Sequence, residues 1–240
     1  MYKATDSMKE RAECVISLIN ACTGLRDSLG CSDEDARAVV LNNIISIGEG
    51  AVCTLNLLHG WITGGPEVGA LVTNMLGIAP STREQKHLDR AAAALSRNAK
   101  FSLLLLGQFQ IENCIRNIAR ELKLAEQGSG FYKTADAVLK RLASTGDDIQ
   151  TLNTVAMMRN TFHGNGIHHT NHGDKTITLD DDVTYEFRAG EPFSNATWPH
   201  VAHALECSIR VLERIFGHAD VQAIADPMFD QYVWDVETTL

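Results

Sequence analysis

From Ala12 to Phe162 the apolar residues of this chain recur at helical intervals, and only between Ile177 and Phe187 do they alternate. That change of period constrains the fold more than any other feature. A chain that repeats near 3.6 residues over most of its length must bury helix faces, and one short alternating stretch leaves room for one hairpin.

Ala12, Val15, Ile16, Leu18, Ile19 and Leu25 predict a first helix over residues 6–29. Gly30-Cys31-Ser32 breaks it, and Ser32, followed by Glu34 and Asp35, is expected to cap a second helix over 33–61, with Gly48 and Gly50 as points for a bend. Gly64-Gly65-Pro66 predicts a turn and a short helix through Met75, and the glycines between Gly60 and Gly69 lack the ending of a phosphate loop. After the punctuation Ile78-Ala79-Pro80-Ser81, residues 82–95 and 100–124 read as two helices or one long one, with Ile111, Ile115, Ile118 and Leu122 on one face. Gln127-Gly128-Ser129-Gly130 ends that segment, residues 131–142 form a short helix, and a central helix begins near Asp148. Ile177 and Leu179, then Val183, Tyr185 and Phe187, alternate on either side of Asp180-Asp181-Asp182, a β-hairpin near 175–188. Trp198-Pro199 opens the last long helix, which Gly217 stops after Phe216; the tail with Phe229, Tyr232 and Trp234 is expected to dock on the body or a partner. The fold class is therefore all-α, an antiparallel helical bundle with a small hairpin inserted before the last long helix. Residues 1–80 form an N-terminal helical segment packing on a body made by 81–240.

The chain has no run of about 18 apolar residues; residues 39–58 are interrupted by Asn42, Asn43 and Glu49, and no apolar leader follows a basic start. No membrane association and a cytoplasmic location are the expectation. The six scattered cysteines then read as reduced thiols, and the sequon Asn195-Ala196-Thr197 carries no consequence. A net charge of −9 argues against broad nucleic-acid binding but leaves room for a local basic cleft.

The residues that most need explaining lie in Met157-Met158-Arg159-Asn160-Thr161-Phe162-His163-Gly164-Asn165-Gly166. On a wheel of about 100° per residue with Leu152 at zero, Arg159 falls at about 340° and His163 at about 20°. Both lie inside the sector held by Val155, Ala156, Ile149 and Phe162. A guanidinium in an apolar stripe must meet a carboxylate or a cleft. Glu112 is the candidate partner across the bundle.

The order of elements from Gln108 onward resembles the HEPN superfamily (higher eukaryote and prokaryote nucleotide-binding domains). The resemblance rests on a helix carrying Gln110-Ile111-Glu112-Asn113 and Arg116-Asn117, a short helix after Gly130-Phe131, and a helix ending Arg159-Asn160-Thr161-Phe162-His163-Gly164-Asn165-Gly166. It covers residues 82–217 and is similar in particular to bacterial members with an arginine-asparagine pair before a histidine and a glycine-asparagine turn. It implies a helical bundle that dimerises with two arginine–histidine motifs facing each other. Many members are metal-independent ribonucleases of toxin–antitoxin, phage-defence or RNA-processing systems, and others are non-catalytic binding modules. Arg159, Asn160 and His163 match the motif, but only three residues separate Arg159 from His163, fewer than in the commonest family pattern. No tyrosine stands two residues after His163.

Under the catalytic reading His163 transfers protons, Arg159 holds the phosphate charge and Asn160 orients; no cofactor or metal is required. One such histidine per chain makes a homodimer part of that reading, with RNA as substrate and an antitoxin or regulatory protein as a further partner. Under the structural reading Arg159 pairs with Glu112 in a buried ion pair, and His163 bonds the last carbonyls of its helix with Gly164 as the left-handed cap. The protein is then a non-catalytic dimerisation or ligand-sensing module. His163, His168, His169 and His172 read as a solvated polar turn rather than a metal site. His200, His203 and Cys207 share one helix face, read as a polar or dimer-facing surface rather than a zinc site.

Overall fold

The first helix starts on a reciprocal cap. In the computed structural model, Ser7 Oγ accepts the Glu10 N–H at 3.2 Å and the Glu10 carboxylate accepts the Ser7 N–H at 2.6 Å, satisfying two donors that a helix start leaves open. Residues 7–64, 67, 70, 74, 77, 85–124, 130–144, 146–169 and 173–230 are described. Most of the expected short helix from Pro66 to Met75, the punctuation at Ile78–Ser81, residues 127–129, His172, Tyr232 and Trp234 lie outside them.

The chain is all-α with one small hairpin. In order it forms α1 (Met8–Ser28), α2 (Ala36–Thr63), α3 (Gln85–Glu121), α4 (Phe131–Arg141), α5 (Gly146–His163), β1 (Lys175–Thr178), β2 (Thr184–Phe187), α6 (Trp198–Phe216) and α7 (Ala219–Gln222). One hydrophobic core runs through all the long helices, from Ala12 and Val15 on α1 to Leu212 and Ile215 on α6. By length and mean hydropathy α2 alone among the described helices could span a bilayer. Here its Leu41, Ile44, Leu55 and Leu58 are fully buried in the protein.

α1 and α2 cross closely at Gly48, where a Cβ would stand 2.8 Å from Ile19 Cγ1. That glycine lets the two axes approach. The segment 85–121 is one unbroken helix, because Ala91–Ala94 favour it and nothing from Ser96 to Ala99 is a breaker.

The cap of α2 is Asp35, not Ser32. Asp35 is fully buried; its carboxylate accepts the Arg37 N–H at 2.9 Å and a fork of two guanidinium bonds at 2.7 Å each. Burial pushes that carboxyl up, but the Arg37 fork and the Met228 N–H outweigh it and hold it below 3.8. Ser32 is turned instead to Asp226, so residues 224–230 fold back over the start of α2.

The hairpin pairs antiparallel in the register Lys175↔Phe187 to Thr178↔Thr184, and its Ile177, Tyr185 and Phe187 are buried. It lies on the face of α6 that carries His200, His203 and Cys207, so that face is interior rather than the expected surface; His200 is 6% and Cys207 2% exposed. Tyr185 donates its hydroxyl to the His200 carbonyl at 2.9 Å and takes His203 Nδ1 at 2.9 Å. Asn195 donates to His200 Nε2 at 3.1 Å, so Nδ1 carries the proton and donates to Thr197 at 2.6 Å. Burial and the neighbouring His203 lower the His200 pKa to about 4, keeping it neutral. The helix-face spacing was legible, but what covers the face is a strand many residues away.

Candidate functional site

Glu112 is the centre of the polar cluster where α3 meets α5. Arg116, one turn on, donates to Oε1 from Nε at 3.0 Å and Nη2 at 2.7 Å, and Gln108, one turn back, donates to Oε2 at 3.1 Å. Arg159 approaches from α5, with Nη1 at 3.8 Å from Oε2. That is Coulombic range, beyond a hydrogen bond. The carboxylate is thus taken up by its own helix, and Arg159 receives only the through-space attraction. Arg159 Nε and Gln108 Oε1 are both buried without a hydrogen-bond partner. Polar atoms left so cost about 1–3 kcal/mol each, and they flank one carboxylate.

Arg159 is not sunk in an apolar stripe; its side chain is 30% exposed, and Asn160 and His163 are exposed. The wheel angle held, but depth did not follow from it. Over its last turns the buried side of α5 swings round to Thr161, on the opposite face, because the chain beyond the helix folds back there. Thr161 donates to the Met157 carbonyl at 2.9 Å, so His168 Nδ1 must donate to Thr161 Oγ1, 3.2 Å away. His168 is therefore buried against Phe187, not part of a solvated turn, and its Nε2 has no partner. Burial lowers its pKa, with Lys175 adding to the effect.

The helix end also differs from expectation. Gly164 keeps an ordinary φ; Asn165 at φ 58° and Gly166 at φ 82° take the left-handed positions, and the Gly166 N–H closes on the Thr161 carbonyl at 3.0 Å. Gly164 is needed for space, since a Cβ there would stand 2.8 Å from the Ile167 carbonyl oxygen and 2.9 Å from the His169 ring. Exposed His169 therefore lies over the residue next to His163, a second imidazole at this end of α5 from the same histidine cluster that the sequence marks. The turn is braced by Gly166, His168 and Gly190–Phe193, which pair ahead of α6.

A cleft of about 410 Å³ lies at the other end of α5, lined by Asp147, Gln150, Thr151, Thr176, Thr178 and Asp180 among others. It contains none of Glu112, Arg159, Asn160 or His163. Among the described residues no three of His, Cys, Asp and Glu converge as metal ligands. Comparison with family models, with curated proteins and with solved structures found no match.

Proposed function

We propose that this chain is a HEPN-like, metal-independent endoribonuclease of the toxin or phage-defence type, cytoplasmic and acting as a homodimer. The observation that carries the reading is that Arg159 is spared by its carboxylate. It stands 3.8 Å from Glu112, a third exposed, one turn before the exposed His163. A guanidinium serving only the fold would take the short fork that Arg116 takes.

The chemistry follows from the groups. A base removes the proton of an RNA 2′-hydroxyl, its oxygen attacks the adjacent phosphorus, and the 5′-oxygen leaves with a proton from an acid, giving a 2′,3′-cyclic phosphate. His163 of one protomer and the same residue of its partner serve as the base and acid. Arg159 neutralises the charge gathering on the phosphoryl oxygens, and Asn160, on the same exposed helix end, orients the phosphate. An activity of this kind in a cell calls for a restraining antitoxin or regulatory protein.

The second reading, a non-catalytic dimerisation or ligand-sensing module, draws on the same ion pair: Arg159 and Glu112 lie within 4 Å across α3 and α5. The deciding experiment is cleavage of total cellular RNA by purified protein in excess chelator, beside His163→Ala and Arg159→Ala of unchanged circular dichroism. Cutting by the wild type alone supports the nuclease. Equal cutting by all three, or none by a wild-type dimer, rejects it.

A further inference from the structure

Carboxylates outnumber lysines and arginines in this chain by 30 to 21, yet one group of cations makes no ion pair with a carboxylate among the described residues. Lys100, on α3, is half-buried, and its ammonium has only the Ala196 carbonyl as hydrogen-bond acceptor among the described residues. Arg97 lies one turn earlier on the same face and makes no hydrogen bond or ion pair among the described residues. Arg11 reaches in from α1, where its Nη1 meets Ser96 Oγ at 3.4 Å and Met8 Sδ at 3.6 Å. Burial lowers the Lys100 pKa to about 8, and Arg11 and Arg97 lower it further in the same sense. Cations gathered in this way repel one another, and a desolvated ammonium with one neutral acceptor is poorly compensated.

Ser96 completes the arrangement. It is 5% exposed, and its hydroxyl accepts from both Arg11 and the Trp198 indole N–H at 3.2 Å. Its own proton has no acceptor among the described residues. Trp198 and Ala196 flank the start of α6, whose N-cap residue Thr197 turns its side chain to His200 rather than to the helix N–H groups. An uncapped end of a 19-residue helix adds positive potential at the same place.

We propose that Arg11, Ser96, Arg97 and Lys100 form a binding site for a phosphate-type oxyanion at the start of α6. Three cations supply the charge, and the Ser96 hydroxyl supplies a directed donor. The site lies near the exposed end of α5: Phe101, the neighbour of Lys100, packs on Phe162, the neighbour of His163, with ring centroids 4.6 Å apart. The phosphate group therefore has two sources, a free phosphate or phosphomonoester, and a backbone phosphate of an RNA lying across the end of α5. The first source is independent of the nuclease reading; the second rests on it.

The test is equilibrium binding by the full chain. Inorganic phosphate is titrated by calorimetry, and a labelled single-stranded RNA is titrated by fluorescence anisotropy on the His163→Ala background, so that cleavage plays no part. Arg97→Gln, at an exposed position, and Lys100→Met should each weaken binding about tenfold or more, the loss of a charge-assisted hydrogen bond. Phosphate binding lost in Arg97→Gln assigns the site to a free oxyanion; RNA binding lost without detectable phosphate binding assigns it to the polymer. Binding unchanged in Arg97→Gln, or no binding of either probe by the wild type, overturns the proposal. Loss of RNA cleavage in His163→Ala with phosphate binding intact separates this site from the nuclease reading.

Discussion

Arg159 faces Glu112 across α3 and α5 at 3.8 Å without a hydrogen bond, while Arg116 holds the same carboxylate at 2.7 Å. The two guanidiniums therefore answer differently to mutation.

Arg159→Ala is expected to cost less than about 1 kcal/mol of stability, as for a long, partly exposed ion pair, while abolishing RNA cleavage. Glu112→Ala strips Arg116 and Gln108 of their acceptor and should cost about 1–3 kcal/mol. Urea denaturation of both variants measures the difference. A larger loss for Arg159→Ala than for Glu112→Ala would place Arg159 in the framework.

Gly164 and Asn165 should respond in opposite ways. Gly164→Ala drives a Cβ to 2.8 Å from a backbone carbonyl, so the turn must shift, at about 1–3 kcal/mol. Asn165→Gly relieves a left-handed residue at φ 58° and should be neutral or slightly stabilising. The melting temperatures of the pair check this.

Tyr185→Phe removes the hydroxyl that joins the hairpin to the His200 carbonyl and to His203. Losing the two bonds of this buried hydroxyl should cost about 1–3 kcal/mol. Hydrogen exchange should speed up in β1 and β2 and stay unchanged in α1 and α2.

The pH dependence of stability follows from His200. Its folded pKa is about 4 against 6.5 when free, so between those values the unfolded chain binds a proton that the folded chain does not. Stability is therefore expected to fall as pH drops from about 6.5 to about 4 and to level off below, as far as this group is concerned. Asp35, held below 3.8 in the fold, removes stability only at still lower pH. Chemical denaturation across this range, with His200→Gln giving a flatter profile above pH 4, is the measurement.

The elements were legible because their signals are local. Trp198-Pro199 and Gly217 bracket α6, the alternation from Ile177 to Phe187 marks the hairpin, and both are found at those places. Ser32 misled because a short polar residue before acids resembles a cap wherever it stands. Asp35 won because the returning Met228 N–H and the Arg37 fork make it the better acceptor.

The sequence by itself determined the helical class, the order of elements and the face on which each residue stands, since period and punctuation act over a few residues. It also put Arg159 and Glu112 forward as facing groups. Tertiary structure alone decided how deep each group lies and who holds it. The fold-back of residues 166–169 exposed His163 and buried His168, Tyr185 of the hairpin packed on His200 and His203, and Arg116 rather than Arg159 took the Glu112 carboxylate. Depth and hydrogen-bond partner depend on elements far apart in the chain, and no local pattern encodes which neighbour arrives.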